Sequence, residues 1–159
     1  MIKVGDRLPE ATFMLATKEG PRATTTSEVF SGRTVALLAV PGAFTPTCSA
    51  KHLPGFREKL PQLKAKGVDA VACTAVNDAF VMGAWGKDQG VGDDILMLAD
   101  GNGDFAKAIG LEMDGSRFGM GMRSKRYSML VRNGVVEQLH VEEGGEFKVS
   151  SADYLLERL

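Results

Sequence analysis

The chain has 159 residues, of which 44% are hydrophobic and 25% are charged, and these proportions allow one compact globular domain with a real core. Its formal net charge of −1 gives no general attraction to nucleic acid or to an anionic membrane. No apolar run approaches the roughly 20 residues of a membrane helix, and Met1–Arg7 has no apolar signal core. We therefore expect a single domain over residues 1–159, soluble and located in the cytoplasm.

Two Thr-rich segments near the N-terminus predict a β-hairpin. Residues 11–17 and 22–26 flank a turn at 18–21 that contains glycine and proline. The following run, residues 34–40, is continuously apolar and is bounded on its C-terminal side by Pro41. Such a run predicts a central strand that is covered on both faces.

The next segment predicts a helix with irregular geometry. Apolar residues recur at spacings of three and four between Leu53 and Leu63, which gives one apolar stripe. Pro54 and Pro61 lie within that stripe. Because proline lacks an N–H and crowds the preceding turn, we expect the helix to bend or break.

Two more buried strands are predicted further along the chain, at residues 70–76 and 95–99. Asn77 follows the first of them and is suited to cap a helix. A short helical stretch is expected around residues 105–109.

The C-terminal third predicts a hairpin and a final helix. Asn133-Gly134, a strong hairpin signal, lies between apolar runs at 127–131 and 135–141. Ser150 and Asp153 are placed to cap the last helix. Strands that first alternate with helices and then pair as a hairpin predict a mixed central sheet flanked by helices, an order typical of a thioredoxin-like α/β fold.

Cys48 is the candidate nucleophile. An apolar strand ends near Val40, a Gly/Pro turn follows, and a helix is predicted to begin at the thiol. At a helix N-terminus the unpaired N–H groups and the positive end of the dipole favour the thiolate, the nucleophilic form of cysteine. The alternative is a buried, inert cysteine that behaves as a small hydrophobe.

Other residues fit the needs of a reactive thiolate. Thr45 lies three residues before Cys48, on the same side of the first helical turn, and its hydroxyl can donate and accept. The ring of Pro41 can exclude water. An arginine would stabilise the anion, and the candidates are Arg123 and Arg126, unless both belong to a solvated charged run.

The remaining histidines and cysteine have several interpretations. His52, one turn after Cys48, could act as a base or as a packing and hydrogen-bonding residue. No metal-ligand spacing is present around His140 or elsewhere in the chain, so we expect neither metal nor cofactor. Cys73 lies within a predicted buried strand, where a thiol is less reactive.

The run from Pro41 to Ser49, continued by His52 to Phe56, resembles the active-site signature of the peroxiredoxins, which are thiol-dependent peroxidases, and of their type II branch in particular. Further similarity covers nearly the whole chain, at residues 76–85, 98–100, 123–128 and 142–147. The resemblance implies reduction of hydrogen peroxide and small alkyl hydroperoxides, with the Cys48 thiolate converted to a sulfenic acid.

The resemblance also assigns expected roles. The family's arginine falls on Arg126, which leaves Arg123 auxiliary. Some type II members carry a resolving cysteine at the place of Cys73, whereas residues 149–151 stand where other relatives have one. A Cys48–Cys73 disulfide is one possibility; the other is reduction by an external thiol, either glutathione with glutaredoxin or thioredoxin.

Similar members of the family often form homodimers through the loops around the active site, and we expect a homodimer here. Four apolar residues are candidates for that interface, with the core as the alternative location: Phe44, Phe80, Met82 and Trp85.

Two other functions remain open at this point. A thioredoxin-like disulfide exchanger would need Cys-x-x-Cys, but Thr45 occupies the place of the first cysteine. A redox-sensing or chaperone-like binding protein would use oxidation of Cys48 as a switch rather than as a step in turnover.

Overall fold

A mixed sheet of seven strands organises the fold in the computed structural model, which describes all residues from 1 to 159. The sheet strands are β1 (Thr12–Thr17), β2 (Gly20–Thr25), β3 (Thr34–Ala39), β4 (Ala70–Ala75), β5 (Ile95–Ala99), β8 (Tyr127–Arg132) and β9 (Val135–Val141). Their order is β2-β1-β5-β4-β3-β8-β9, and β3 is parallel to β4 as β4 is to β5. The thioredoxin-like fold and the N-terminal hairpin are therefore confirmed.

Helices cover both faces of this sheet. They are α1 (Thr26–Phe30), α2 (Leu53–Glu58), α3 (Leu60–Ala65), α4 (Ala79–Asp88), α5 (Asp104–Ala108) and α6 (Ala152–Leu156). Buried residues of α2, α3, α4 and α6 share one apolar core, and those of α1 and α5 share the other. A small second sheet pairs β6 (Glu112–Asp114) with β7 (Met122–Ser124). None of the helices combines the length and the apolar character that crossing a bilayer requires.

The strongest local signals in the sequence are confirmed. Every residue of β3 is buried, as the continuous apolar run predicts, and β5 has the expected bounds. Asn133 and Gly134 both have positive φ, 48° and 79°, as the tight turn between two antiparallel strands requires.

Two predicted helix caps are wrong by one residue. Asp78 rather than Asn77 caps α4, because its side chain accepts from the Val81 N–H at 2.8 Å, whereas the Asn77 side chain accepts from the Ala43 N–H. At α6 the cap is Ser151 rather than the predicted Ser150 or Asp153. Asn, Asp and Ser have similar preferences for the cap position, so the sequence cannot distinguish between neighbouring candidates. The path of the backbone decides which side chain reaches the free N–H groups of the helix.

The helix after Cys48 is irregular, as its prolines predict. Residues Cys48–His52 form a π-turn, in which Leu53 N–H bonds to the Cys48 carbonyl, immediately before Pro54. The helix then breaks at Lys59, between α2 and α3 and two residues before Pro61. Each irregularity lies where a proline removes a donor and crowds the preceding turn.

The register of the central strands gathers the chain segments that form the site. Ala39, the last residue of β3, lies opposite Tyr127, the first residue of β8, and Tyr127 in turn lies opposite Val141, the last residue of β9. Antiparallel pairing thus places Arg126 and Glu142 at the edge where the chain leaves β3 toward Cys48.

Candidate active site

Cys48 lies in the first turn of the helical segment that follows β3. Helical conformation begins at Pro46, where a proline costs no hydrogen bond. The Ser49 N–H donates to the Thr45 carbonyl at 3.0 Å. The indole N–H of Trp85 in α4 donates to the Ser49 hydroxyl at 2.9 Å, which ties this turn to the neighbouring helix.

Two donors converge on the Cys48 sulfur. The Thr45 hydroxyl oxygen is 2.8 Å from Sγ, and Nη2 of Arg126 is 3.0 Å from it. A guanidinium has no acceptor, so the sulfur must accept its hydrogen bond. The site therefore brings together three of the residues that the sequence singled out.

The Thr45 hydroxyl fits either protonation state of Cys48. Its oxygen is also 2.7 Å from the Gly42 carbonyl, but a hydroxyl has only one hydrogen to donate. It donates to a thiolate, or it donates to Gly42 while accepting from the S–H group. In both states the Thr45 hydroxyl therefore keeps a hydrogen bond to the sulfur.

The charge of Arg126 is buried without a carboxylate partner. Arg126 is only 8% exposed, and it takes part in none of the ion pairs in the structure. A buried, uncompensated cation is costly, by several kcal/mol. The group in direct contact with this cation is the Cys48 sulfur.

His52 is fully buried and is not available as a base. Its Nε2 lies 2.9 Å from the Ser150 carbonyl and so carries the proton, while Nδ1 accepts from Nη1 of Arg126 at 3.0 Å. Burial, and then the charge of Arg126, lower the pKa of His52 to about 3. The neutral ring orients the guanidinium, so the hydrogen-bonding alternative raised by the sequence fits the structure.

Arg123 lies beside the site but does not contact the sulfur. Its Nε donates to the Met120 carbonyl at 2.8 Å and Nη1 to the Val76 carbonyl at 3.2 Å. It therefore fastens the loop between β6 and β7 to the end of β4. Pro41 is half-buried at the end of β3, directly before the loop that leads to Thr45.

The Cys48 sulfur is closed off from solvent in this conformation. Cys48 has no exposed surface. Phe147 stands over the neighbouring groups, with its ring centroid 6.0 Å from the Arg126 guanidinium carbon and 5.2 Å from the His52 ring. Side chains around Cys48 must move to admit a peroxide.

Cys73 is free and fully buried in the centre of β4, between Leu38 of β3 and Met97 of β5. Burial raises the pKa of its thiol far above the usual range, and the nearby Cys48 raises it further. The two sulfurs share one apolar core, but only Cys48 has donors.

Two of the four candidate interface residues belong to the core. Met82 and Trp85 are completely buried, so they offer no surface to a partner and the interface prediction is wrong for them. Phe44 and Phe80 are 52% and 75% exposed. Phe44 also has a left-handed backbone, with φ of 64°, an uncommon conformation for a bulky residue. Phe118 and Met122 are exposed as well.

Two further polar residues support the site, in roles that the sequence did not predict. The Asn77 side chain accepts from the Ala43 N–H at 2.9 Å and so holds the loop before Thr45. Glu142 is buried and organises residues 148–150. Periodicity gives no sign of either role. No cluster of side chains could hold a metal ion.

Comparison with known proteins gives one consistent family. Residues 3–156 match the Redoxin family model. The chain is 54% identical to peroxiredoxin-2E-2, chloroplastic, of Oryza sativa, over 99% of this chain and 72% of that protein. It is 45% identical to peroxiredoxin-2B of Arabidopsis thaliana, over 99% of this chain and 98% of that protein. Reduced Prx3 of Vibrio vulnificus, in complex with hydrogen peroxide, superposes with a TM-score of 0.95 at 54% identity, over 99% of each chain.

The buried neutral His52 predicts a specific pH dependence of stability. Its pKa of about 3 in the folded protein lies below the ordinary 6.5, so as pH falls the unfolded chain takes up a proton first and stability is lost. Between pH 7 and pH 5 this one group should remove about 2 kcal/mol from the free energy of unfolding. Urea unfolding of wild type and His52→Asn should show that extra loss in wild type only. Equal pH slopes would mean that folded His52 takes up the proton.

Proposed function

Because this chain belongs to the redoxin family as a type II peroxiredoxin, a thiol-dependent peroxidase, we propose that Cys48 is its peroxidatic sulfur and that Thr45 and Arg126 are its catalytic partners. The observation that supports this assignment is the pair of donors on Sγ, at 2.8 and 3.0 Å. Hydroperoxides are the substrates, and a thiol is the reductant.

The first step is an in-line displacement. The Cys48 thiolate attacks one peroxide oxygen, an S–O bond forms with two electrons from sulfur, and the O–O bond breaks. Sulfur is oxidised to a sulfenic acid, and the departing oxygen leaves as hydroxide or alkoxide, which takes a proton from solvent to give water or an alcohol.

Thr45 and Arg126 suit the charge that moves during this step. Negative charge passes from sulfur to the departing oxygen, and the guanidinium, with several N–H groups in a fixed plane, can bond to both. The Thr45 hydroxyl can accept from the peroxide O–H and so align the molecule. Fixed donors in a site shielded from water stabilise developing charge more strongly than solvent does.

The arginine contact gives a direct test. Cys48→Ser should abolish peroxide consumption. Arg126→Ala should slow oxidation of Cys48 by about 100-fold or more and lower the fraction of thiolate at neutral pH, because the cation beside sulfur is lost. Stopped-flow oxidation and ultraviolet detection of thiolate measure both effects.

Arg117→Ala is the matched control, since Arg117 is exposed in the same half of the chain and its removal changes net charge equally. If Arg126→Ala oxidised at the wild-type rate, the proposed role of the guanidinium would be wrong.

We also propose that the sulfenic acid is reduced by an external thiol, either glutathione with glutaredoxin or thioredoxin. One thiol displaces water from sulfur to form a mixed disulfide, and a second thiol releases Cys48. The burial of Cys73 within β4 favours this course over an internal disulfide. The cytoplasm, where such thiols are held reduced, stays the predicted location.

Cys73→Ser separates the two courses. If the reductant is external, the variant should keep turnover within about twofold of wild type with glutaredoxin and glutathione or with thioredoxin, because its sulfur takes no part. Coupled assays with each reductant would show which one supports turnover. Loss of turnover in a variant that still folds and still loses one thiol per peroxide would instead make Cys73 the resolving residue.

A homodimer through the loops around the site is proposed on the exposure of Phe44 and Phe80. Single exposed apolar residues are ordinary, but large exposed aromatic side chains are typical of interface anchors. Phe80→Asp should shift the mass measured by sedimentation from dimer toward monomer, whereas Met14→Asp, at another exposed apolar residue, should not. A wild-type monomer at high concentration would contradict the proposal.

A further inference from the structure

Glu142 is a buried carboxylate outside the reacting groups. The residue is 5% exposed. Its Oε2 accepts from the amides of Lys148, Val149 and Ser150, each at 2.8 Å, and from the Ser150 hydroxyl at 2.7 Å. One oxygen thus gathers four donors, and the loop from 142 to 150 closes around it.

Burial alone would raise the pKa of this carboxyl group. The hydrogen bonds from the Ser150 hydroxyl and from the three amides outweigh burial, so the pKa of Glu142 lies below its ordinary value. The group is therefore an anion at neutral pH, and charge-assisted hydrogen bonds of this kind are stronger than neutral ones.

Contacts from this loop lead back to the guanidinium. The carbonyl of Ser150 accepts from Nε2 of His52 at 2.9 Å, and Nδ1 of His52 accepts from Arg126 at 3.0 Å. The main chain closes the circuit, because the Glu142 N–H donates to the Arg126 carbonyl at 2.9 Å. Both the backbone and the side chain of Arg126 are thus tied to Glu142.

We propose that Glu142 is a positioning residue for peroxide reduction, which holds the Arg126 guanidinium against the Cys48 sulfur through Ser150 and His52. This inference rests on the proposed roles of Cys48 and Arg126. The circuit fixes the position of the Ser150 carbonyl, which accepts from Nε2 of His52. Because Nε2 then carries the proton, Nδ1 is the nitrogen that can accept from Arg126. With the loop released, the Ser150 carbonyl no longer holds the proton on Nε2 of His52.

The competing explanation is that Glu142 only stabilises the loop. The two explanations differ in a double-mutant cycle. If Glu142 acts through Arg126, its removal has no further effect once Arg126 is absent. If it loosens the site in general, the rate falls by the same factor with or without Arg126.

The experiment measures the rate of oxidation of Cys48 by hydrogen peroxide in the full chain. The single tryptophan, Trp85, bonds to Ser49 next to the reacting sulfur, which provides a fluorescence signal. Glu142→Ala should react about 10-fold to 100-fold more slowly, the loss typical of an outer-shell contact. Glu142→Gln, which keeps an acceptor oxygen for the amides, should recover to within about threefold of wild type.

Glu143→Ala is the matched control, since Glu143 is the exposed neighbour in the same loop and its loss changes net charge equally; it should react as wild type does. In the Arg126→Ala background, Glu142→Ala should cause no further slowing. If Glu142→Ala does not fold, Glu142→Asp takes its place in the cycle, because the shorter side chain keeps the charge but cannot reach all three amides from the same backbone position.

The outcomes separate this inference from the function it rests on. If wild-type Cys48 were not oxidised by peroxide, the proposed function itself would fail. If wild type reacts and Arg126→Ala is slow, a wild-type rate in the folded Glu142 variant overturns the positioning role alone. Equal slowing with and without Arg126 also overturns it.

Discussion

The contact between the Arg126 guanidinium and the Cys48 sulfur, at 3.0 Å, is the interaction on which the site depends. A buried cation needs a nearby anion, and no carboxylate pairs with Arg126. In the proposed mechanism, a Cys48 thiolate would be both the nucleophile and the counter-ion of the buried arginine. In that mechanism, oxidation of the sulfur to a neutral sulfenic acid would remove the counter-ion, so the arginine would become available to the anionic leaving group in the same step.

This contact is built by the sheet. Cys48 comes from the helical segment after β3, and Arg126 comes from the start of β8, 78 residues later in the chain. The antiparallel register that pairs Ala39 with Tyr127 brings the two segments to one edge. A slip of one residue would turn Arg126 to the other face of the sheet. The π-turn before Pro54 then sets how far His52 advances around the helix relative to Cys48.

The two cysteines show how strongly surroundings decide thiol chemistry. Both are completely buried and both belong to the same apolar core. Cys73 has only apolar strand neighbours and an unfavourable environment for the anion. Cys48 has a hydroxyl, a guanidinium and the start of a helix. Burial is therefore common to both thiols, and the hydrogen-bond donors around Cys48 are what distinguish the two sites.

Local sequence determined much of this protein by itself. The apolar run of β3, the Asn133-Gly134 turn and the prolines after Cys48 each act within a few residues, so their outcomes follow from the chain alone. The run from Pro41 to Cys48 likewise predicted that a helix begins near Cys48 and that Thr45 lies beside the sulfur. Tertiary structure decided which arginine meets the sulfur, that Met82 and Trp85 face the core, and that Glu142 closes a circuit through Ser150 and His52. Those outcomes depend on strand register and on contacts between distant segments, and no local pattern of residues encodes which segments will meet.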